Sequence, residues 1–535
     1  MKSRRLAIFA LCLLALVCML AVPSRMMKKV EAVCPTCPPP PPPPPTVGQF
    51  GGPLAGLTTG ITNLFNGGYG TFVIKWDPVR GLGPVSTKTG CFNCHGAGVD
   101  VLTGTAGDTS SATGVRYGKW NSDGTFNYLD GTGTFPENEG GPIVHGVSNA
   151  AFGTLPSCNV MSIAKTNGAT ESGTTVTITT TAAHGFGPGQ NAQILGVPVS
   201  GYNGTFSIVS VPTTTSFTFT APTSGLAPSG GGTAQNLPHE VLPTDATVVT
   251  NIRSPQLFGL GLVDNIPDSA ILANVAISKP FGITGIANMV PDENGVIRPG
   301  KFGQKLNIVS LFQFTANAEF NELGITTSAG PFGVASQFNP TEHLPQGQPF
   351  PKACQTDPNS PQDVSQSNMI KMTQFESLLA PIPPQPPNSQ IIAGEQVFNN
   401  LGCSVCHIQN FTTQQNVKLR TTTGGQTAVI PSLSNVTFSP YSDFLLHDMG
   451  SAESGGLPFQ PNLTGQATLT MWRTAPLWGL NNTLAKSSGL MHDNLSVSID
   501  AAIRRHGGEA ATVISNYEGL NTTDALNLKA FLGSL

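Results

Sequence analysis

The chain has 535 residues, a net charge of −4 and only 10% charged residues, well below the roughly 25% of ordinary soluble proteins. That length accommodates three or four domains, and without a basic patch or stripe the composition argues against nucleic-acid binding. The 61 glycines and 45 prolines predict a loop-rich fold.

Residues 1–24 have the pattern of an export segment. Lys2, Arg4 and Arg5 form a positive start, Leu6 to Val22 is nearly all apolar, and Pro23 and Ser24 end it. Cleavage after Ser24 makes it a signal peptide, and retention makes it an N-terminal anchor, since the apolar run is just long enough to span a bilayer. Either reading places the rest outside the cytoplasm, in the periplasm or its equivalent. Residues 25–50 form a tether in which Cys34-Pro-Thr-Cys37 precedes eight prolines, a composition that favours a semi-rigid polyproline spacer.

The chemistry lies in two matching stretches, Cys91-Phe-Asn-Cys94-His95 and Cys403-Ser-Val-Cys406-His407. C-x-x-C-H is the attachment pattern of haem c. Two thiols one short turn apart each form a thioether to a haem vinyl group, and the next imidazole becomes the proximal iron ligand. A zinc site needs further thiols or histidines at matching spacing, and none flank either motif. The expected cofactors are therefore two covalently bound haem c, with Cys91, Cys94, Cys403 and Cys406 as attachment points and His95 and His407 as iron ligands. Cys158 and Cys354 are left over and are able to pair in an oxidising compartment.

Between residues 172 and 239 there is no Asp, Glu, Lys or Arg. Thr175–Thr180 alternates as a half-buried strand does, and so does Ser216–Thr220. Asn203-Gly204 reads as a hairpin turn before Thr205–Val211. An all-β domain inserted over 166–235 follows. Its lone His184 reads as structural.

Beyond the insert, Arg253-Ser-Pro-Gln-Leu-Phe-Gly-Leu260 aligns without gaps to Arg473-Thr-Ala-Pro-Leu-Trp-Gly-Leu480. Each copy follows a C-x-x-C-H, as in a duplicated domain with one insertion. The repeated Arg253 and Arg473 are placed to meet a haem propionate in each half. Ser310–Leu323 reads as a helix. Pro381–Pro387 marks a linker, Ile391–Phe398 has helical spacing, and Thr522–Leu532 reads as a closing helix capped by Thr522 or Thr523. A helix before the motif and a closing helix after it resemble a cytochrome c domain.

The expected fold is mainly α, with two cytochrome c-like haem domains. The first comprises 51–165 and 236–380 around the β insert, a linker covers 381–390, and the second comprises 391–535. The stretches Leu257-Phe-Gly-Leu-Gly261, Ile266-Pro-Asp268, Lys301-Phe-Gly303, Tyr441–Gly450, Trp472–Leu480 and His506-Gly-Gly-Glu-Ala510 resemble the di-haem oxidoreductases of peroxidase type. These are also called thiol oxidoreductases and are similar in plan to bacterial di-haem cytochrome c peroxidases. Gln304 departs from that pattern, where relatives often carry Trp after Phe-Gly.

The resemblance implies an exported peroxidase. The N-terminal haem reduces hydrogen peroxide, and the C-terminal haem passes it electrons from a small donor protein. It brings His145, His239, Glu319 and Glu322 forward as candidate catalytic groups at the first haem. It also matches His506 to the position of the second iron's distal ligand, with Met449, Met471 and Met491 as alternatives. His447 and His492, beside Asp448 and Asp493, read as hydrogen-bonded neighbours of the iron ligands. Two other activities share this scaffold: non-catalytic electron transfer, and oxidation of side chains in a partner protein.

Overall fold

In the computed structural model the described residues are 43–49, 51–76, 85–86, 90–95, 113–120, 122, 126–127, 143–144, 147–148, 160–188, 191–222, 224–237, 247–253, 255–323, 325, 365–450, 470–485 and 489–535. The export segment, most of the tether, His145, His239, Cys158 and Cys354 lie outside them, as do the side chains of Cys94 and Arg253. Among the described residues no helix is long and apolar enough to cross a membrane.

Helix α1 (Thr59–Phe72) starts at Thr58, whose hydroxyl accepts from the Ile61 amide, and α2 (Cys91–His95) carries the first motif. Strand β1 (Thr113–Trp120) follows. Seven antiparallel strands then form one sheet: β2 (Val160–Ser162), β3 (Ala169–Ser172), β4 (Thr175–Thr179), β5 (Asn191–Leu195), β6 (Gly204–Thr213), β7 (Ser216–Thr220) and β8 (Thr233–Leu237). Their spatial order is β2-β8-β5-β6-β7-β4-β3. Beyond β2, Ile163 bridges Thr180 at the end of β4, so the sheet curls back on itself. Alternate side chains, among them Val176, Ile178, Ile194, Phe217 and Phe219, fill its own core, as a period of two requires. Asn203-Gly204 is not the hairpin turn. Asn203 instead closes the loop between β5 and β6 with its side chain bonded to the Val197 amide and carbonyl.

Strand β9 (Val248–Arg253) returns to pair with β1. Short helices α3 (Leu260–Asp264) and α4 (Asp268–Ala276) follow, then α5 (Leu311–Leu323) and α6 (Gln366–Leu378). The second half has α7 (Ser389–Leu401), the strand pair β10 (Leu446–Asp448) and β11 (Met471–Arg473), then α8 (Leu480–Ala485), α9 (Ile499–Arg504), α10 (Ala511–Glu518) and α11 (Thr522–Ser534). Asn521, not Thr522 or Thr523, caps α11, with its side-chain oxygen accepting from the Asp524 amide.

The expectation of a mainly α fold is wrong. Among the described residues helix accounts for 35% and strand for 19%, with the seven-stranded antiparallel sheet the largest strand assembly. The threonine-rich, charge-free sequence favours pleated surface over helix, and β1 and β9 add strands outside that sheet.

Two crossings of helices carry the motifs, and they match residue for residue. In the first, α1 crosses α6 at Gly68, where a Cβ would stand 2.1 Å from the Lys371 carbonyl oxygen and 2.7 Å from Phe375 Cβ. In the second, α7 crosses α11 at Gly394, where a Cβ would stand 2.0 Å from the Asn527 oxygen and 2.7 Å from Phe531 Cβ. One turn after each glycine a phenylalanine meets the partner helix. Phe72 and Phe375 have ring centres 5.0 Å apart, and Phe398 and Phe531 are 5.3 Å apart.

The repeat anchors both units to each other. Gly259 and Gly479 stand at φ 74° and 75°, a left-handed turn that a β-carbon resists. The Gly259 amide donates to the Leu379 carbonyl just past α6, and the Gly479 amide donates to the Leu535 carbonyl just past α11. A Cβ on Gly259 would meet Trp478, and one on Gly479 would meet Phe258. The rings of Phe258 and Trp478 lie 5.9 Å apart, so each copy covers the other's turn.

A crossing that depends on a missing side chain makes a test of sign. Alanine in mid-helix is favoured over glycine by about 1 kcal/mol, whereas overpacking costs roughly 1–3 kcal/mol. Gly394→Ala is expected to lower the thermal midpoint. An unchanged or raised midpoint would show that the crossing tolerates a methyl group.

Candidate haem centres

Gly402 ends α7 in the left-handed conformation, as a glycine after a helix does. The chain then turns through a short 3₁₀ segment, Cys403–Val405. This presents Cys403, Cys406 and His407 to one cavity of about 1890 Å³, its open mouth included. The two thiols are not bridged to each other, and burial pushes the Cys403 thiol up to about 12.

His506, on the turn after α9, faces His407 across the cavity. Their ring centres are 6.5 Å apart and inclined at 57°. Two N–metal bonds of about 2 Å, with the half-width of each imidazole, put ring centres roughly 6 Å apart. The pair is therefore spaced for one metal between them. His407 Nδ1 donates to the Tyr441 carbonyl at 2.8 Å and His506 Nδ1 to the Ala502 carbonyl at 2.8 Å. A carbonyl only accepts, so Nε2 is the coordinating nitrogen on each ring. Burial holds the His407 imidazole down at about 4, hence neutral. The residues fit a haem held by Cys403 and Cys406 between two imidazoles.

Arg473 lines the same cavity at the end of β11. Met449 and Met491 also reach it, whereas Met471 packs with Leu306 and Leu446. Gln304 lines the wall, and its carbonyl accepts from the Arg473 amide at 3.2 Å. His492 lines the cavity as well. It stacks on Trp472 at 3.6 Å and 7°, with the Lys305 amine over the Trp472 ring at 3.5 Å. Asp493 takes Arg505 at 2.7 and 2.9 Å. His447 bonds not Asp448 but Asp443 and Glu509, each at 2.9 Å.

At the first motif, Phe72 stands 6.4 Å from the His95 ring, just as Phe398 stands 6.3 Å from His407. Burial pushes His95 down to about 4. Among the described residues His95 Nδ1 and Trp76 Nε1 are buried with no hydrogen-bond partner. Cys91 packs in one apolar cluster with Trp76, Phe312, Ala316, Leu323 and Met369. Phe312, Ala316 and Leu323 of that cluster lie on α5, and Glu319, also buried on α5, falls at the same helical spacing. Glu322 is only partly buried. Arg253 ends β9 as Arg473 ends β11.

The sequence reading passed over two groups. One is the G-x-x-x-F spacing before each motif, Gly68–Phe72 and Gly394–Phe398, a signal that was present to be read. The other is Glu376 on α6, buried and accepting from the Thr315 hydroxyl at 2.6 Å, which no local pattern marks. Burial pushes its carboxyl up to about 7. A carboxyl raised in the folded state contributes stability that is full below its ordinary value, 4.5, and lost as pH rises through 7. The wild-type chain is expected to lose about 3 kcal/mol over that window through this group, and Glu376→Gln to remove that slope. Parallel stability–pH curves for the two proteins would show that Glu376 is not buried as a neutral acid.

No curated protein and no solved structure matches the chain. A family model described as "Di-haem oxidoreductase, putative peroxidase" matches residues 225–535, more than half of the chain. The match takes in the second motif, both copies of the repeat and the cavity between His407 and His506, and begins after the first motif. The chain belongs to the di-haem oxidoreductase family.

Proposed function

We propose that the chain is an exported di-haem c-type peroxidase. It reduces hydrogen peroxide at the N-terminal haem with electrons that enter through the C-terminal haem from a small donor protein. The observation that carries this reading is the opposed pair His407 and His506. The two imidazoles would hold a haem bound at Cys403 and Cys406 and supply its iron with two nitrogen ligands, which suits an electron carrier.

A bound haem supplies the iron and its one-electron couple. The rest falls to the chain. Cys91 and Cys94, and Cys403 and Cys406, hold the two groups as thioethers, and Arg473 offers a guanidinium to a haem carboxylate. Peroxide reduction takes two electrons and two protons and yields two waters. It needs a group that carries a proton between the two oxygens. Glu319, buried on α5 at the helical spacing of the residues that pack with Cys91, is the residue assigned that proton.

Denatured protein is expected to keep its haem stain and to give two haems per chain in a pyridine haemochrome assay. In a half-reduced sample the first iron should be high-spin and react with peroxide. Two low-spin irons inert to peroxide would overturn the peroxidase reading in favour of electron transfer alone.

His506→Ala removes one face of the second centre. That iron is expected to become high-spin and lose its low-spin magnetic resonance signal. A persisting signal would pass the ligand role to Met491 or Met449.

A further inference from the structure

We propose that Asp443, His447 and Glu509 form a fixed buried charge cluster that sets the reduction potential of the C-terminal haem. The inference rests on the reading that this haem is attached at Cys403 and Cys406. His447 donates Nε2–H to Asp443 and Nδ1–H to Glu509, each at 2.9 Å. Ionised carboxylates only accept, so both ring nitrogens carry protons and the ring is an imidazolium.

The cluster is built to stay in place. Asp443 is 0% and His447 2% exposed. Glu509 also takes the amides of Thr284 at 2.8 Å, Gly285 at 3.2 Å and Asp448 at 3.3 Å. Gly285 leaves room for the ring, because a Cβ there would lie 2.6 Å from His447 Cε1. His447 Nδ1 is 3.9 Å from Cys406 Sγ, the atom that forms the thioether, and His447 and Glu509 both line the cavity.

One cation between two anions leaves a net charge of −1 beside the cofactor, in surroundings that screen charge poorly. Negative charge there favours the oxidised iron. Removing one carboxylate favours the reduced iron, and removing the imidazolium has the opposite effect. None of these residues touches the iron, so they position charge and do not catalyse.

The test is a spectroelectrochemical titration of the full-length di-haem protein, following the low-spin band of the C-terminal haem. Glu509→Gln keeps the shape of the side chain and loses its charge. It is expected to raise the reduced-to-oxidised ratio at fixed poise about tenfold, which for one electron is about 59 mV. His447→Gln is expected to shift the potential downward. Opposite shifts with an unchanged low-spin spectrum support the proposal. No shift in either variant, or shifts in the same direction as loosened packing would give, overturns it. Should His447→Gln fail to accumulate, Glu509→Gln decides alone, with an upward shift supporting the proposal and no shift rejecting it. A haemochrome count showing no haem at the second motif would instead remove the reading beneath it.

Discussion

Each motif depends on a helix crossing that only a glycine permits. Gly68 lets α1 lie on the Lys371 carbonyl, and Gly394 lets α7 lie on the Asn527 carbonyl. With the helices that close, the phenylalanine one turn later is held between the partner helix and the histidine of the motif. Phe72 then fixes where His95 stands, and Phe398 where His407 stands. Packing contributes to placing each imidazole, since His95 and His407 lie at nearly the same distance, 6.4 and 6.3 Å, from their phenylalanines. Interiors packed to crystal density transmit such constraints.

The two centres differ in what surrounds that shared frame. His407 is bonded to the Tyr441 carbonyl, faces His506, and has a charged cluster against Cys406. An imidazole that donates to a carbonyl would be a stronger ligand to a bound iron, and the second imidazole is spaced to serve the same metal. The first centre has a neutral His95, an apolar cluster round Cys91 and a buried acid on α5. The surroundings of the two motifs thus differ in polarity, charged and hydrogen-bonded at His407 and largely apolar at Cys91.

What the sequence made legible follows from how local each signal is. The C-x-x-C-H motifs, the helices at Ser310–Leu323, Ile391–Phe398 and Thr522–Leu532, and the repeat at Arg253 and Arg473 are contiguous patterns. The structure has helices at Leu311–Leu323, Ser389–Leu401 and Thr522–Ser534. The fold class was misjudged because β1, β9 and the curled sheet outweigh what the helical segments implied. The partners of His447 were missed because Glu509 is distant in sequence and the adjacent Asp448 offered a simpler choice. Proximity along a strand says little about pairing, since neighbouring side chains on β10 point to opposite faces.

The duplication also explains why a large insert does so little harm. The first unit has its motif at Cys91 and its closing helix at Gln366–Leu378, and the second has Cys403 and Thr522–Ser534. The chain between motif and closing helix is thus about twice as long in the first unit. Each doubling of a loop costs only about 0.6 kcal/mol, small beside a buried aromatic pair and a full helix crossing. The insert folds round a core of its own, from Ile163 to Ala234, and so draws nothing from the packing of α1 on α6. The mutual cover of Gly259 by Trp478 and of Gly479 by Phe258 does not pass through it. The two crossings are held in register by the repeat, and the sheet hangs from a loop that the register does not use.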